Sequence, residues 1–386
     1  MNRKHIWFYN LFRPLVIGFL KVKFGYKYKL AEGLPDNYIV LSNHVTDFDP
    51  LFVAASFPNQ MYFVGSEHIA RWKLAYKFLK FGFAPIMRYK GTVAASTVVE
   101  ILRAVRKGSN VCVFAEGVRT WDGVTCPILP STAKLIKASK CGLVTYKIRG
   151  GYFSSPMWSV SPTRKGYIEG APVNIYTKEQ IAKMSLDEIY AVITKDLHED
   201  AYERQLSEPK KYIGKGLAEG MENLLFKCPV CGKYDTFLSK DDTVTCHSCG
   251  LAFTYNEYGM LKGVPFETVR ELAAWQLERV MEDVSEGNVY RAQGGVLSTV
   301  SDHIESKVDE GAVSMSTEAF TCGNTVIPMK DILDLAMHGK RAIVFSTNEK
   351  YYELIPSEEA NSLKFFLYFE GYKNQIKRKQ LGEKEN

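Results

Sequence analysis

Two pairs of cysteines place the strongest constraint on how this 386-residue chain can fold. Cys228 and Cys231 form one Cys-x-x-Cys pair, Cys246 and Cys249 form the second, and fourteen residues separate the pairs. A glycine follows each pair and favours the tight turn that brings two thiolates to one metal ion. The spacing is typical of a zinc ribbon, and a zinc ion held by four thiolates is coordinatively closed and therefore structural. Disulfides or free thiols are the alternative interpretation of the same four residues.

The charge of this cysteine-rich segment bears on its possible partners. Residues 228–260 contain two lysines and four carboxylates, which gives a net charge of −2. Zinc ribbons often serve nucleic-acid machinery, but contact with a phosphate backbone requires the opposite sign of charge. We therefore expect no nucleic acid as a partner, and we interpret the ribbon as a spacer or a protein-contact module.

Short apolar runs alternate with amphipathic stretches over residues 38–172. Buried strands are predicted over residues 38–41, 61–64, 84–87, 111–114 and 143–146, and helices over residues 69–81 and 92–106. The predicted apolar stripe of the second helix comprises Ala95, Val98, Val99, Leu102 and Val105. Such alternation predicts the α/β class, an αβ-sandwich with a largely parallel or mixed sheet.

The chain is about twice the usual size of one domain, so the sequence predicts several parts. These are an amphipathic membrane-contact segment (1–30), the αβ-sandwich domain (31–215), the zinc ribbon (222–260), a connecting helix (261–290) and a small β-rich domain (291–378). Residues 327–332 and 350–354, among several short strands before a closing helix, resemble a pleckstrin-homology or GRAM-like barrel. An unrelated small α+β module is the alternative, and lipid or protein contact is the expected role of this part.

The first thirty residues are both cationic and apolar. They carry seven lysines and arginines and no carboxylate, whereas residues 31–386 have a net charge of −1. Arg13 and Lys21 interrupt the apolar residues, so no run approaches the roughly 18–20 residues that span a bilayer. On a helix, Arg3, Asn10 and Lys21 share one side, and most of the remaining surface is aromatic or aliphatic. The pattern predicts a helix in a membrane interface, which Pro14 would kink or split.

The same segment has two alternative interpretations. A signal peptide is disfavoured because Arg13 lies inside the apolar region and no small-x-small cleavage site follows. A core helix of the first domain is the second alternative. Contact with a membrane lipid surface is the interpretation we favour, and it predicts a peripheral or monotopic protein on the cytoplasmic face. The other four cysteines are scattered and fit reduced thiols there.

A histidine follows the first predicted strand, and carboxylates stand three and five residues later. On one regular helix, His44 and Asp49 would lie about 140° apart, so they meet only if His44 ends a strand and Asp49 begins the next helix. The dipeptide Asp49-Pro50 favours this arrangement, because Asp is a good N-cap and Pro a good first helical residue. The pair would then form a general base oriented by an acid. The alternative is an N-cap Asp beside an uninvolved loop histidine.

Two later strands also end in polar side chains. Residues 111–120 indicate a strand that ends in a glycine-bearing turn presenting Glu116, Arg119 and Thr120. A guanidinium and a hydroxyl suit a phosphate, and Gly117 allows the backbone to approach it closely. Arg88 supplies a second cation at the end of the strand predicted over 84–87. The chain contains no Gly-x-Ser-x-Gly, Walker or Gly-x-Gly-x-x-Gly motif, which disfavours serine hydrolases and nucleotide-binding enzymes.

Taken in order, these blocks resemble the glycerolipid acyltransferase family typified by 1-acylglycerol-3-phosphate acyltransferases. Asn43, His44 and Asp49 match the family's Asn-His-x4-Asp block, and residues 85–88 resemble its second block. Residues 114–120 match its Phe-Pro-Glu-Gly-Thr-Arg-Ser block, with three substitutions: Ala115, Val118 and Thr120. The resemblance covers about residues 10–205 and implies that residues 31–215 form an acyltransferase domain.

The resemblance also implies a reaction. A fatty acyl group would pass from acyl-CoA or acyl carrier protein to the free hydroxyl of 1-acylglycerol 3-phosphate, giving phosphatidate in phospholipid synthesis. His44 would take the hydroxyl proton and Asp49 would hold the imidazole. The implied substrate-binding residues are Arg88, Glu116, Gly117, Arg119 and Thr120, with the two arginines on the phosphate. Alternatives are an acyltransferase for another lysophospholipid or phosphorylated alcohol, and a catalytically silent membrane scaffold.

Overall fold

The computed structural model describes residues 2–66, 73–88, 95–301 and 304–382. Its N-terminal region contains α1 (Arg3–Phe24), β1 (Lys27–Tyr28), β2 (Tyr38–Ser42), α2 (Asp49–Ser56), β3 (Met61–Ser66), α3 (Lys73–Gly82), β4 (Ile86–Arg88), α4 (Ala95–Arg106), β5 (Asn110–Phe114), α5 (Ser131–Ser139), β6 (Gly142–Arg149), α6 (Gly151–Ser154), β7 (Glu169–Tyr176), α7 (Lys178–Lys183), α8 (Leu186–Leu197) and α9 (Ala201–Ser207).

The remaining elements belong to the cysteine-rich and C-terminal regions. The first contains β8 (Phe237–Lys240), β9 (Thr243–Cys246), β10 (Ala252–Tyr255) and β11 (Leu261–Lys262), followed by α10 (Val269–Glu286). The second contains β12 (Tyr290–Ala292), β13 (Gly295–Ser301), β14 (Ile304–Glu310), β15 (Val313–Met315), β16 (Ala319–Cys322), β17 (Thr325–Pro328), β18 (Asp334–His338), β19 (Ala342–Ser346), β20 (Tyr351–Pro356) and α11 (Leu363–Gly382).

Seven of the described strands form one mixed sheet, in the order β1-β7-β6-β2-β5-β3-β4. Its neighbouring strands are parallel, except that β6 and β7 are antiparallel. Helices follow β2, β3 and β5 and cross over to the next parallel strand, which covers both faces of the sheet. Ile39, Val40 and Leu41 of β2 are accordingly all fully buried. The predicted α/β class and mixed sheet are confirmed.

The parallel order has one consequence for function. The carboxyl ends of β2, β4, β5 and β6 lie at the same edge of the sheet, because these strands run in the same direction. In open α/β sheets this edge is where ligands bind. The sequence blocks that follow β2, β4 and β5 therefore meet there.

The buried side of helix α4 overlaps the predicted stripe in part. Val105 is buried and Val98 and Leu102 pack against the core, as predicted, whereas Ala95 and Val99 are exposed. Thr97 and Ile101, which the predicted stripe did not include, are also buried, so the observed side is rotated about the helix axis. Residues 69–72 and 92–94 of the two predicted helices lie outside the described residues.

Helix α1 is a single helix that contains Pro14, so the predicted split at Pro14 is wrong. Pro14 and Asn10, whose carbonyl loses its amide partner, are both exposed, so solvent can satisfy that carbonyl. Arg13 does not lie on a solvent-facing cationic side, since its guanidinium donates to the carbonyls of Ala54 and Ala55 at the end of α2. Among the described residues, no helix combines the length and apolarity needed to cross a bilayer.

One hydrophobic core joins the last segments of the N-terminal region to the cysteine-rich and C-terminal regions. It includes Trp158 and Tyr202, continues through Phe253 of β10, and reaches Phe345 and Tyr368 in the C-terminal region. The packing therefore crosses the predicted boundaries at residues 215 and 291. The C-terminal strands form two antiparallel sheets, β12-β15-β16-β17 and β14-β13-β20-β19-β18, with α11 against β12 and β18. This part is β-rich, as predicted.

Candidate active site

The side chains of His44 and Asp49 are in contact at the edge of the sheet. His44 follows β2, Asp49 is the first residue of α2, and His44 Nδ1 lies 2.7 Å from Asp49 Oδ2. This is the strand-to-helix arrangement that the spacing predicted. The expected N-cap role of Asp49 is wrong, because the N-cap position is occupied by Phe48. The Asp49 side chain instead turns back toward the residues that precede the helix.

The Asp49 carboxylate is fully buried and receives several hydrogen bonds. Its Oδ2 accepts from the backbone amides of Val45 (2.6 Å) and Thr46 (3.0 Å), and its Oδ1 accepts from the Thr46 hydroxyl at 2.7 Å. An oxygen that already accepts two amide hydrogens also accepts from His44, so Nδ1 carries the proton. The Nε2 atom of the neutral imidazole is then the proton acceptor. The ring is 21% exposed and can therefore reach a substrate.

Glu116 holds the backbone of His44 in place by a hydrogen bond. One of its carboxyl oxygens accepts from the His44 amide at 2.6 Å, and the other accepts from the Cys126 amide, also at 2.6 Å. Burial raises the pKa of Glu116 to about 8, although both amide hydrogen bonds act to lower it. Its two oxygens are occupied within the protein. Of the two parts of the expected role, shaping the site and touching substrate, this geometry favours the first.

The turn after β5 is joined to the turn after β2 by backbone and ring contacts. The Thr120 amide donates to the His44 carbonyl at 3.1 Å, and the Ala115 amide donates to the Ser42 carbonyl at 3.2 Å. The His44 ring stacks on Phe114, with 4.5 Å between ring centroids. These contacts hold the imidazole at a fixed orientation relative to the β5 turn.

Arg119 lies beside this pair but is held by three internal partners. Its guanidinium donates to Asp47 Oδ2 at 2.8 Å, to the Ser155 carbonyl at 2.7 Å and to the Val45 carbonyl at 3.3 Å. The Arg119 side chain is 9% exposed, whereas that of Asp47 is 79% exposed. Since a guanidinium has five N–H donors, part of its donor capacity remains for a ligand. The exposed Asp47 carboxylate is the partner that an incoming anion would replace.

Arg88 and Gly117 are adjacent at the same edge. Gly117 has a φ of +71°, which favours glycine, and a Cβ there would lie 3.3 Å from Arg88 Nη1. The absence of a side chain thus lets the guanidinium lie close over the turn. Arg88 Nε is buried and has no hydrogen-bond partner among the described residues. The two predicted cations, Arg88 and Arg119, therefore flank the β5 turn.

Thr120 is buried and its hydroxyl is used within its own turn. It donates to Asp122 at 3.2 Å and accepts from the Gly123 amide at 3.0 Å. This placement favours a role in shaping the turn over direct contact with a substrate.

Several residues at this edge have roles that the sequence did not reveal. The Asn43 side chain bonds the backbone of Ile148 in both directions, at 2.8 and 2.9 Å, and so fastens the end of β2 to β6. Asp47 and Ser155 hold Arg119, and Lys340 of the C-terminal region donates to the carbonyl of Ser159 in the same loop as Ser155. Asn43 and Asp47 belong to the Asn-His-x4-Asp segment around His44, and this position was the signal that could have identified them. Nothing in the sequence marked Lys340.

The four cysteines predicted as metal ligands converge on one point. All four sulfur atoms lie within 4.8 Å of one another. The Cys228 and Cys249 sulfurs are 3.7 Å apart, and those of Cys231 and Cys246 are 3.9 Å apart. The backbone turns back on itself in each pair, where the Gly232 and Gly250 amides donate to the Cys228 and Cys246 carbonyls at 2.9 Å. This cluster can hold a metal ion.

Comparison with known proteins supports an acyltransferase. Residues 26–149 match the sequence model of the Acyltransferase family, and this span contains His44, Asp49 and the β5 turn. The chain is also similar to the crystal structure of the 1-acyl-sn-glycerophosphate (LPA) acyltransferase PlsC from Thermotoga maritima, with 14% identity and a TM-score of 0.41 over 53% of this chain and 79% of that one. A similarity to the solution structure of the N-terminal PH domain of human ARAP2 has 14% identity and a TM-score of 0.17, over 22% of this chain and 81% of that one. Comparison with curated protein sequences finds no match.

Proposed function

We propose that the chain transfers a fatty acyl group from a thioester to the free hydroxyl of 1-acylglycerol 3-phosphate, giving phosphatidate. The observation that carries this proposal is the contact of His44 with the buried Asp49, at the ligand-binding edge of a sheet within the matched span. A silent scaffold would have no need of a buried carboxylate aimed at a partly exposed imidazole. The pair therefore favours turnover over the scaffold alternative.

The reaction follows from the proton positions at His44. The acceptor hydroxyl gives its proton to Nε2 while its oxygen forms a bond with the thioester carbonyl carbon. The carbon–sulfur bond then breaks, and the imidazolium returns the proton to the departing thiolate. Asp49 stabilises the imidazolium through Nδ1 and keeps the ring in the required tautomer. No acyl group is attached to the protein at any step, since the hydroxyl attacks directly.

The acceptor's phosphate would lie near Arg88 and Arg119. Both cations flank the β5 turn, the Arg88 Nε has no described partner, and Arg119 keeps free donors after its internal contacts. A phosphate can take two parallel N–H bonds from one guanidinium. Gly117 keeps the approach open, and Glu116 and Thr120 hold the turn in shape. Another lysophospholipid or phosphorylated alcohol would satisfy the same cations and is the alternative acceptor.

Helix α1 is the proposed contact with the membrane surface. Its exposed apolar side chains recur at intervals of about one helical turn: Trp7, Leu11, Leu15, Phe19 and Val22. They span an arc of roughly 120° at about 100° per residue, while the opposite side packs on α2. Exposed Phe78 and Phe81 of α3 extend this apolar surface through ring contacts with Phe8. Aromatic side chains beside lysines are typical of a helix that lies in a lipid interface.

This arrangement would place the protein on the cytoplasmic face of a membrane, where the acceptor resides. Lys4, Lys21 and Lys23 of α1 are exposed and would face anionic headgroups. Acyl-CoA or acyl carrier protein would deliver the acyl group from the aqueous side. The C-terminal β-rich region is the candidate for a second lipid or protein contact.

Zinc is the proposed occupant of the cysteine cluster. With zinc–sulfur bonds of about 2.3 Å in a tetrahedron, neighbouring sulfurs stand about 3.8 Å apart. The distances of 3.7 Å between the Cys228 and Cys249 sulfurs and of 3.9 Å between the Cys231 and Cys246 sulfurs fit this value. Four thiolates leave no position for substrate, so the ion would stabilise the fold and take no part in acyl transfer. Cys228 and Cys246 belong to the continuous core and Cys231 packs against it, which links the metal to the stability of the whole chain.

A matched pair of acceptors tests the proposal. Purified full-length protein would be given a labelled acyl-CoA or the corresponding acyl carrier protein, with either 1-acylglycerol 3-phosphate or the monoacylglycerol that lacks the phosphate. We expect labelled phosphatidate, and a kcat/KM at least about 100-fold lower for the monoacylglycerol, because a buried guanidinium loses its charged partner. Equal use of both acceptors would contradict the phosphate assignment. Absence of transfer to any acceptor would favour the scaffold.

A further inference from the structure

The C-terminal region reaches the candidate active site through one hairpin. Strands β18 and β19 pair from His338 with Ala342, so their connection has only three residues. Gly339 has a φ of +61°, the left-handed conformation that such tight connections require. Arg341 fixes the hairpin to its own region, since its guanidinium donates to the Pro356 carbonyl at 3.1 Å. Lys340 is therefore presented outward from a rigid support.

Lys340 crosses to the loop that follows α6. Its ammonium donates to the carbonyl of Ser159, a residue 181 positions earlier in the chain. The same loop is held at its other end by Arg119, which donates to the Ser155 carbonyl at 2.7 Å. A turn joins these two points, because the Ser159 amide donates to the Pro156 carbonyl at 3.2 Å. One short loop is thus held between two cations from different regions.

The charge balance around this loop leaves a place for an anion. Burial lowers the pKa of Lys340, the nearby charge of Arg119 lowers it further, and Asp47 raises it. Arg119 has Asp47 as its ionic partner, and that carboxylate is mostly exposed. A nearly buried Arg119 and a partly buried Lys340, balanced by one solvated carboxylate, favour a further, multiply charged anion.

We propose that Lys340 joins Arg119 in binding the phosphate of the acyl acceptor, in addition to Arg88 on the other side of the β5 turn, so that the C-terminal region completes the acceptor site. This inference rests on the proposed function in one respect, the phosphorylated acceptor. Lys340 supplies a point charge with three rotatable donors, and only one of these is needed by Ser159. Arg119 lies two residues beyond Gly117 in the β5 turn and donates to the carbonyl of Val45, next to His44. A phosphate at the two cations would therefore lie close to the imidazole that activates the hydroxyl.

The inference assigns a function to the C-terminal region that its own fold does not indicate. Without that region, the loop between Ser155 and Ser159 would lose the Lys340 contact while keeping those of Arg119 and Asn223, and the acceptor would lose one of its cations. The last region of the chain would then contribute a side chain to the site that the first region forms.

Kinetics of the Lys340→Met variant of the full chain test this inference. Methionine keeps the apolar stem of the side chain and removes the charge. We expect the KM for 1-acylglycerol 3-phosphate to rise about 10- to 100-fold, the worth of one charged hydrogen bond, with kcat changed less than about threefold. The KM of the thioester donor and the kcat/KM for monoacylglycerol should stay at the wild-type values. Lys340→Arg should restore the KM to within about threefold, because it restores the charge.

Lys330→Met serves as the matched control, because Lys330 is an exposed lysine of the same region. The inference is overturned if Lys340→Met leaves the acceptor KM unchanged, or if it changes the kcat/KM for both acceptors equally. The second result would assign Lys340 to domain packing alone. A rise in the donor KM with no change in the acceptor KM would assign the two cations to a phosphate of the donor, and would also overturn it.

Calorimetric titration with glycerol 3-phosphate separates this inference from the proposed function. Binding to wild-type protein that is weakened at least about tenfold in Lys340→Met and restored in Lys340→Arg supports the two-cation site even if no acyl transfer is found. Active transfer to 1-acylglycerol 3-phosphate with full affinity in Lys340→Met supports the proposed function and overturns the inference.

Discussion

Replacement of Asp49 by asparagine isolates the charge of the buried carboxylate from its shape. In the wild-type chain, Oδ2 accepts from His44, Val45 and Thr46, while Oδ1 accepts from the hydroxyl and amide of Thr46. The asparagine oxygen can occupy the Oδ2 position and keep all three of its donors. Its NH2 group then faces Thr46, whose hydroxyl can rotate to accept. We therefore expect Asp49→Asn to fold, at a cost of about 1–3 kcal/mol in the free energy of unfolding.

The effect of Asp49→Asn on rate follows from the lost charge. An imidazolium and a carboxylate whose centres are about 4 Å apart interact by roughly 4 kcal/mol at an effective dielectric constant of about 20. Loss of this interaction in the transition state predicts a fall in kcat of about a thousandfold, with the acceptor KM changed less than about threefold. The measurement is the initial rate of thiol release at saturating donor, together with the melting temperature of each variant.

Asp187→Asn is the matched control, because Asp187 is an exposed carboxylate of the same region. It should retain wild-type kinetics. Combining Asp49→Asn with His44→Ala should lower kcat no further than His44→Ala alone, because the two side chains act as a unit. A folded Asp49→Asn variant with a kcat within about tenfold of wild type would refute the argument that the Asp49 charge supports the base.

Three further predictions concern the support of the site, the membrane and the metal. Burial raises the pKa of Glu116 to about 8 in the folded chain, compared with 4.5 in the unfolded chain. The preference of the folded chain for protonated Glu116 therefore contributes fully to the free energy of unfolding below pH 4.5, and this contribution is lost as the pH rises through 8. The stability advantage of wild type over Glu116→Gln should therefore fall by roughly 1.4 kcal/mol per pH unit across this window, and a pH-independent difference in denaturant titrations would contradict it. Replacing Trp7 and Leu15 by serine should weaken binding to anionic vesicles at least about tenfold, as measured by sedimentation. The control Leu129→Ser replaces an exposed leucine outside α1 and should leave this binding unchanged. Equal binding by both variants would contradict the assignment of α1 as the membrane contact. Metal analysis should find about one zinc per chain, and its loss in Cys246→Ser should lower the melting temperature by at least about 5 °C; a metal-free wild type would contradict the zinc assignment.

The sequence predicted best the features that depend on neighbouring residues. His44 and Asp49 are five residues apart, and a strand followed by a helix start was sufficient to bring them together. Five of the seven strands of the sheet were predicted, because buried parallel strands are apolar along most of their length, as residues 38–41 illustrate, whereas β1 and β7 were not predicted. The cysteine cluster was predicted because two Cys-x-x-Cys turns have few ways to arrange four sulfur atoms.

The sequence failed where a side chain is held by distant parts of the chain. Arg13 was interpreted only as an interruption of the apolar run, whereas the carbonyls at the end of α2 hold it, 41 and 42 residues away. The sequence indicated a phosphate role for Arg119 but neither its partners Asp47 and Ser155 nor the approach of Lys340 to the same loop. Pro14 was expected to kink or split α1, but the helix is not split, because exposure lets solvent compensate the lost hydrogen bond. In each case tertiary contacts decide the outcome, and periodicity carries no information about them.

The rate of acyl transfer by His44→Ala tests the central claim most directly. Purified full-length wild type and variant would be compared at saturating acyl donor and acceptor, with equal melting temperatures as evidence that both are folded. Removal of the general base predicts a fall in kcat of about 10²- to 10⁴-fold. Transfer by a folded His44→Ala at close to the wild-type rate would contradict the claim that the imidazole at the end of β2 activates the acceptor hydroxyl.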